Sequence, residues 1–564
     1  MGRVRGLFIF FCLCAVGLLG KLYLVQIVSG DAFSDEANRK GTSSGNLFDR
    51  GSVYFEDKTG ERISAATLAS GFLIAITPKD IEDSTETYAV LSAITSIDEN
   101  IFSEAVARTE DPYEEIAHRV GEAEALQIRD LELPGVFAYE ERWRLYPGGT
   151  SAAHTLGLIG FDGDTLGGRY GIERYYERVL SRENKSVYRN FFAEVFSGVG
   201  DVIDAKHGEG EGDVVMTIEP TVQNELEQSL SGIIEEWKSK KVGGIILDPR
   251  TGEIRAIAAL PSFDPNNFSD IEDPLVFSNP IVENVFEMGS IMKALTMAAG
   301  LDAGVVTPET TFNDKGSLTI DGYTIYNHDK KVRGTTDMQH VLGESLNTGA
   351  AFVEGKLGNA RFARYFEKFG LGTETGIDLP GEVAGLLGNL KSPRDGEYVT
   401  ASFGQGIAVT PIGMARALSA IANGGTLITP HVVKEIEYDI GISHDILHPE
   451  ETRVISREAS ETITQMLVNV VDNFLLGGTV KISTHSIAAK TGTAQIANPA
   501  DGGYYADRYL HSFFGYFPAY DPQFLILLFS YEPQGARFAS ETLTTPFMDL
   551  ARFLIHYYTI PPDR

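Results

Sequence analysis

Cysteine is nearly absent from this chain of 564 residues, which has only Cys12 and Cys14, both inside an apolar run at the N-terminus. The remainder offers no thiol for a disulfide, a zinc-thiolate site or a cysteine nucleophile, so its stability rests on packing, for which its length is ample. Positive charge is also scarce: 47 Lys and Arg face 78 Asp and Glu, a formal net charge of −31. That balance disfavours a phosphate backbone, and nucleic acid is not an expected partner. No internal repeat is found. Neither a metal-ligand cluster nor a glycine-rich phosphate loop accompanies the motifs described below, so no metal and no cofactor is expected.

What is present begins with an apolar stretch from Leu7 to Val28, long enough to cross a bilayer as a helix. Arg3 and Arg5 hold residues 1–6 on the cytoplasmic side, and Lys21 can snorkel from near one end of the span. A cleaved signal peptide shares this design, but no small-x-small cleavage site follows. The expectation is an uncleaved single-pass anchor in the cytoplasmic membrane, with the rest of the chain outside.

Beyond the anchor the length implies two soluble domains. Gly41 to Gly45 is a linker, and Val53-Tyr54-Phe55 before Asp57-Lys58-Thr59-Gly60 predicts a strand and hairpin. From Pro78 to Leu131, Glu, Ala and Ile recur at helical spacing. Residues 29–207 are expected to form a non-catalytic α+β pedestal. The stretch Lys206 to Gly212 marks a boundary, and residues 208–564 form the second domain. There Thr221–Trp237 reads as an amphipathic helix, Pro249-Arg250-Thr251-Gly252 as a hairpin turn, and His511–Phe517 and Phe524–Tyr531 as buried strands. Helical patterns run from Ser290 to Gly300, Met338 to Leu357 and Pro411 to Asn423, and a last helix from Pro546 to Tyr558 could close over the sheet. The predicted class is α/β, an antiparallel sheet sandwiched by helices.

The chemistry-bearing residues fall in this second domain. Ser290 opens a helix and Lys293, three residues on, shares its face, so hydroxyl and amine can touch. Burial and the positive end of the helix dipole would push such a lysine towards its neutral form, able to take the serine proton. Ser345-Leu346-Asn347 lies within a helical stretch, and Lys490-Thr491-Gly492-Thr493 in a run of small, strand-compatible residues. Ser44-Gly45-Asn46 and Lys58-Thr59-Gly60 match the same short patterns but precede the serine, in a linker and a turn.

In the order Ser-x-x-Lys, Ser-x-Asn, Lys-Thr-Gly the chain resembles the penicillin-binding and serine β-lactamase superfamily. Arg50-Gly51, Arg144-Leu145-Tyr146-Pro147-Gly148, Gly171-Ile172-Glu173, Gly376 to Glu382 and Ser402-Phe403-Gly404-Gln405-Gly406 resemble blocks of the monofunctional, class B penicillin-binding proteins. Asn279-Pro280 running to Glu287, with the spacing from Lys490 to His511-Ser512-Phe513, is more similar to the division-specific branch. The resemblance implies a peptidoglycan D,D-transpeptidase. Ser290 would be its nucleophile and Lys293 its base, with Ser345 and Asn347 relaying a proton and holding the peptide. Lys490 would supply positive charge, Thr491 and Thr493 would bind the terminal carboxylate of a D-Ala-D-Ala donor, and Gly492 would let that donor lie against the strand. Backbone N–H groups of Ser290 and Thr493 would form the oxyanion hole.

Implied partners are stem peptides, as donor and amine acceptor, β-lactams, and a membrane glycosyltransferase of the shape, elongation, division and sporulation group, with other division or elongation proteins. Two departures stand out: Met288 where proline is usual and Ala489 where glycine is usual. Other readings are a D,D-carboxypeptidase or β-lactamase, and a scaffold that keeps the pocket only for binding. A bifunctional enzyme fits poorly, because Glu110-Asp111-Pro112-Tyr113 lacks the aromatic and histidine a glycosyltransferase motif needs.

Overall fold

The computed structural model describes residues 48–182 except 164, 210–446 except 270 and 440, and 452–564 except 501. Both the expected anchor and the boundary at 207/208 lie outside these residues. Among the described residues no helix is long and apolar enough to cross a membrane.

The described chain forms two compact units that are not contiguous in sequence. The smaller holds residues 67–145. Its strand, the part of Arg62–Ile76 from 67 onward, pairs antiparallel with Val136–Leu145 and with Glu114–Val120. Ile74, Ile76, Leu91, Phe102, Ile116 and Ile128 make its core. The stretch expected to be helical throughout contains the helices Ser84–Ser92, Glu99–Ala107 and Glu122–Asp130, but Glu114–Val120 is a strand. Pairing with the strand beside it, and burial of Ile116, Ala117 and Val120, override the helical spacing. Asp83 and Asp98 start the first two helices, each accepting from two backbone N–H groups of the first turn.

The larger unit holds residues 51–66, 146–180 and the chain from 210 onward. Val53–Glu56 and residues 62–66 form the predicted hairpin, with Asp57 N–H donating to the Glu61 carbonyl at 3.0 Å. A five-stranded sheet organises the rest. Its strands are β1 (Lys241–Leu247), β2 (Ile254–Leu260), β3 (Ala488–Ala497), β4 (Tyr504–Phe517) and β5 (Phe524–Tyr531), in the order β3-β4-β5-β1-β2 with every pair antiparallel.

Strand periodicity divides this sheet's side chains between two cores. Phe524, Ile526 and Leu528 of β5, with Phe513 and Phe517 of β4, pack under helices α1 (Pro220–Trp237) and α7 (Thr544–Tyr557). The intervening Leu525, Leu527 and Phe529, with Phe514 and Tyr516, face the larger cluster. That side is built from α2 (Met292–Asp302), α3 (Met338–Gly343), α4 (Asn347–Leu357), α5 (Pro411–Ala422) and α6 (Arg457–Asn469). The expected sandwich is therefore found, with α7 closing one face. The Met338–Leu357 pattern is two helices rather than one, because Ser345 takes a left-handed φ of 56° and Leu346 is extended. Phe547 carries much of the α7 contact: its ring stacks on Phe513 at 4.4 Å, and the space beside it exists because residue 515 is glycine. Phe547→Ala is expected to cost about 3–5 kcal/mol of unfolding free energy, read as a lowered urea midpoint for this unit.

Candidate active site

The serine turn is built by close packing. Gly289–Ile291 is a single 3₁₀ turn leading into α2, with Gly289 at a φ of 61°. A side chain at 289 would meet the Thr493 carbonyl at 2.7 Å, and one at Gly404 would meet the Gly289 carbonyl at 2.2 Å. The turn is thus pressed between edge strand β3 and the Ser402–Gly406 loop, and Gly289 N–H donates to the Gly404 carbonyl at 3.2 Å. Glu287 fastens the same place, its Oε1 accepting from Gly406 N–H and the Tyr504 hydroxyl, both at 3.1 Å. Burial raises the pKa of that carboxyl.

Ser290 is half-buried on the wall of a cleft of about 620 Å³. Ser345, Asn347, Thr491 and Thr493 line the same cleft. Lys293 and Lys490, 1% and 2% exposed, converge on Ser345. Lys293 Nζ donates to the Ser345 carbonyl at 2.6 Å and to its Oγ at 3.2 Å, and Lys490 Nζ donates to the same Oγ at 3.1 Å. One hydroxyl bridges two buried amines. Burial drives the Lys293 pKa well below the ordinary lysine value, and the charge of Lys490 pushes it the same way. Burial alone brings Lys490 down to about 7. Sequence reasoning anticipated the burial of Lys293 but not its second amine neighbour.

All eight residues singled out from the sequence meet in one region, but among the described residues Lys293 Nζ bonds to Ser345 and not to Ser290, the contact expected from the sequence, and two further local differences appear. Ser345 lies in the left-handed turn between α3 and α4, not in a helix, which is what lets both its carbonyl and its hydroxyl meet Lys293. Asn347 opens α4, and its Nδ2 donates to the Tyr326 carbonyl at 2.8 Å. The direction a side chain would take at Gly492 is filled from within the fold, by Ser512 Oγ at 2.3 Å, the Met288 carbonyl at 2.7 Å and Ile291 N at 3.0 Å. Glycine there lets β3 seat against the serine turn.

The two departures are absorbed locally. Met288 has a φ of −82°, close to what a proline would fix, and its carbonyl accepts from Ser512 Oγ at 2.7 Å. Ala489 is buried in the core under α7, opposite Gly515, whose missing side chain leaves room for the alanine methyl. Sequence reasoning assigned no role to Tyr326, His328, Lys330, Phe403, Gln405 or Arg537, all of which line the cleft. Phe403 and Gln405 stood in a recognised block; Tyr326 ends the short strand Tyr323–Tyr326, and His328, Lys330 and Arg537 come from loops with no periodicity to mark them.

With this geometry in place, comparison with known proteins is direct. A family model described as the penicillin binding protein transpeptidase domain matches residues 242–549, and one described as the penicillin-binding protein dimerisation domain matches residues 49–190. The chain belongs to the penicillin-binding protein transpeptidase family. It is 29% identical to stage V sporulation protein D of Bacillus subtilis over 94% of this chain and 81% of that protein. It is 25% identical to peptidoglycan D,D-transpeptidase FtsI of Escherichia coli K12 over 97% and 90%. The crystal structure of apo penicillin binding protein 3 from Mycobacterium tuberculosis superposes with a TM-score of 0.66 at 28% identity, covering 75% of this chain and 92% of that one.

Two predictions follow from the buried amines and the tight strand. The folded chain gives up the Lys490 proton near pH 7, the unfolded chain near an ordinary lysine value of about 10.4. The penalty for burying this charge is therefore full below about pH 7 and fades as pH rises towards 10.4. Lys490→Met is expected to raise the thermal midpoint more at about pH 6 than at about pH 9, while abolishing covalent capture of penicillin. Gly492→Ala, which forces β3 off the serine turn, is expected to slow that capture by on the order of tenfold to a hundredfold, measured by stopped-time labelling.

Proposed function

We infer that this penicillin-binding protein is a peptidoglycan D,D-transpeptidase that cross-links stem peptides through a Ser290 acyl-enzyme. The observation that carries the reading is the Ser345 hydroxyl shared by two buried amines on the wall of the cleft that Ser290 lines. Lys293, its pKa driven down by burial, takes the proton of Ser290 as the Ser290 Oγ attacks the carbonyl of the penultimate D-Ala. The C–N bond to the terminal D-Ala then breaks, and the proton reaches the departing amine by way of Ser345. The amine of a second stem peptide then attacks the acyl ester, and its proton passes through Lys293 to Ser290 Oγ as the ester C–O bond breaks, which forms the cross-link and frees Ser290. Thr491 and Thr493 receive the donor's terminal carboxylate, with Lys490 behind them supplying positive charge, and Asn347 holds the peptide backbone. The N–H groups of Ser290 and Thr493 serve as the oxyanion hole, where losing one donor typically costs about 3 kcal/mol. A β-lactam stops the cycle at the acyl-enzyme.

The remaining assignments complete this reading. Residues 7–28 anchor the chain in the cytoplasmic membrane and residues 208–564 carry the catalysis outside it, while the pedestal expected over residues 29–207 keeps residues 67–145 as its compact unit, residues 51–66 and 146–180 belonging to the larger one. Similarity to FtsI supports work at the division septum. The glycan strands come from a membrane glycosyltransferase of the shape, elongation, division and sporulation group, met through the anchor and pedestal. In the test, the soluble fragment is incubated with a fluorescent penicillin beside Ser290→Ala. A slowly released adduct on the wild type, absent from the variant by gel and intact mass, is the expected result. A folded wild type that takes no label would favour a non-catalytic scaffold, and rapid turnover of the label a β-lactamase.

A further inference from the structure

In a chain with a formal net charge of −31, the residues lining the Ser290 cleft include no Asp or Glu among those described. They do include Lys330 and Arg537, two cations distinct from the buried amines. Each stands beside a carboxylate that is already committed. Asp329, next to Lys330, is held by both arms of Arg333 at 2.7 and 2.8 Å. Glu541, four residues beyond Arg537, accepts instead from the backbone N–H groups of Arg537 and Phe538 at 3.0 and 2.8 Å.

Among the described residues neither Lys330 nor Arg537 has a carboxylate partner; each head group lies only over an aromatic ring, Tyr326 at 5.0 Å and Phe538 at 5.3 Å. The two segments come from different parts of the chain. They meet where the His328 ring packs edge-on against Phe538 at 5.7 Å. Arg537 also sits beside the strand proposed to take the terminal carboxylate, since the N–H of Ala539 donates to Thr493 Oγ1 at 3.0 Å. Cations left unpaired along a substrate cleft, with neighbouring carboxylates drawn away, favour an anionic ligand by electrostatic complementarity.

We propose that Lys330 and Arg537 select donor stem peptides that carry a free carboxylate upstream of the D-Ala-D-Ala end, on the side chain of the third residue. Such a donor is a diamino diacid peptide, as opposed to its amidated form or a lysine peptide. This rests on the transpeptidase reading above and names the substrate class of that same cleft. Arg537 is suited to the contact because its fork can grip a carboxylate with two N–H groups, and Lys330 adds a point charge from the facing loop.

The test compares two pentapeptide donors that differ only at residue three, meso-diaminopimelate with its free carboxylate or the corresponding primary amide. D-Ala release by the full-length protein in detergent is measured for the wild type, Lys330→Ala, Arg537→Ala and Arg537→Lys. The expected wild-type preference for the acid in kcat/KM is about tenfold, shrinking as salt is raised. Either alanine variant should narrow it by lowering use of the acid donor alone, Arg537→Lys should restore part of it, and Ser290 should still be labelled by penicillin in every variant. Equal use of the two donors by the wild type, or a proportional loss on both in the variants, overturns the proposal and leaves the transpeptidase reading standing. Failure of both D-Ala release and penicillin labelling would overturn the two together.

Discussion

The burial of two lysine amines against one serine hydroxyl is the constraint on which the rest of this structure depends. Lys293 and Lys490 are removed from water almost completely, and among the described residues neither is given a carboxylate. Among the described residues their hydrogen bonds go to the polar atoms of Ser345, so the fold must hold that residue in a left-handed turn and bring both an edge strand and a helix to it. A salt bridge would have been the more stable arrangement for either amine. It would also have kept Lys293 protonated and useless as a base.

The surrounding architecture can be understood as the means of enforcing this. The five-stranded sheet is clamped between two cores, which fixes β3 at its edge. Gly492 and Gly289 then allow that edge to close on the serine turn. The loop from Ser402 to Gly406 and the carboxyl of Glu287 brace the turn from the other side. The strand that orients Lys490 is thus the same strand whose outer residues, Thr491 and Thr493, line the cleft, so the position of the charge and the position of the substrate are set together.

Much of this was legible in the sequence because it depends on short-range pattern. Ser290 and Lys293 are three residues apart, β3 to β5 show strand character, and the glycine turn at Pro249–Gly252 forms as expected, with Asp248 N–H donating to the Glu253 carbonyl at 2.9 Å. What was not legible depends on distant parts of the chain. Nothing local to Ser345 signals a left-handed turn inside an otherwise helical pattern. Glu114–Val120 is a strand only because the sheet beside it offers a partner. The membership of residues 51–66 and 146–180 in the larger unit follows from packing that no linker composition reveals. Gly492 was read as clearance for a substrate, while the atoms nearest to it belong to the protein itself. Arg537 and Lys330 look like ordinary surface charges until the committed partners of Asp329 and Glu541 are known.

The central claim is that burial makes Lys293 a base for Ser290 at physiological pH. The most direct measurement is the pH dependence of the second-order rate of Ser290 acylation by benzylpenicillin, followed under conditions where the protein stays folded. The account predicts a rate that rises with pH and levels off well below the ordinary lysine value of about 10.4. A rate that keeps climbing tenfold per pH unit up to about pH 10 would mean that Lys293 is an ordinary protonated lysine, and would contradict it.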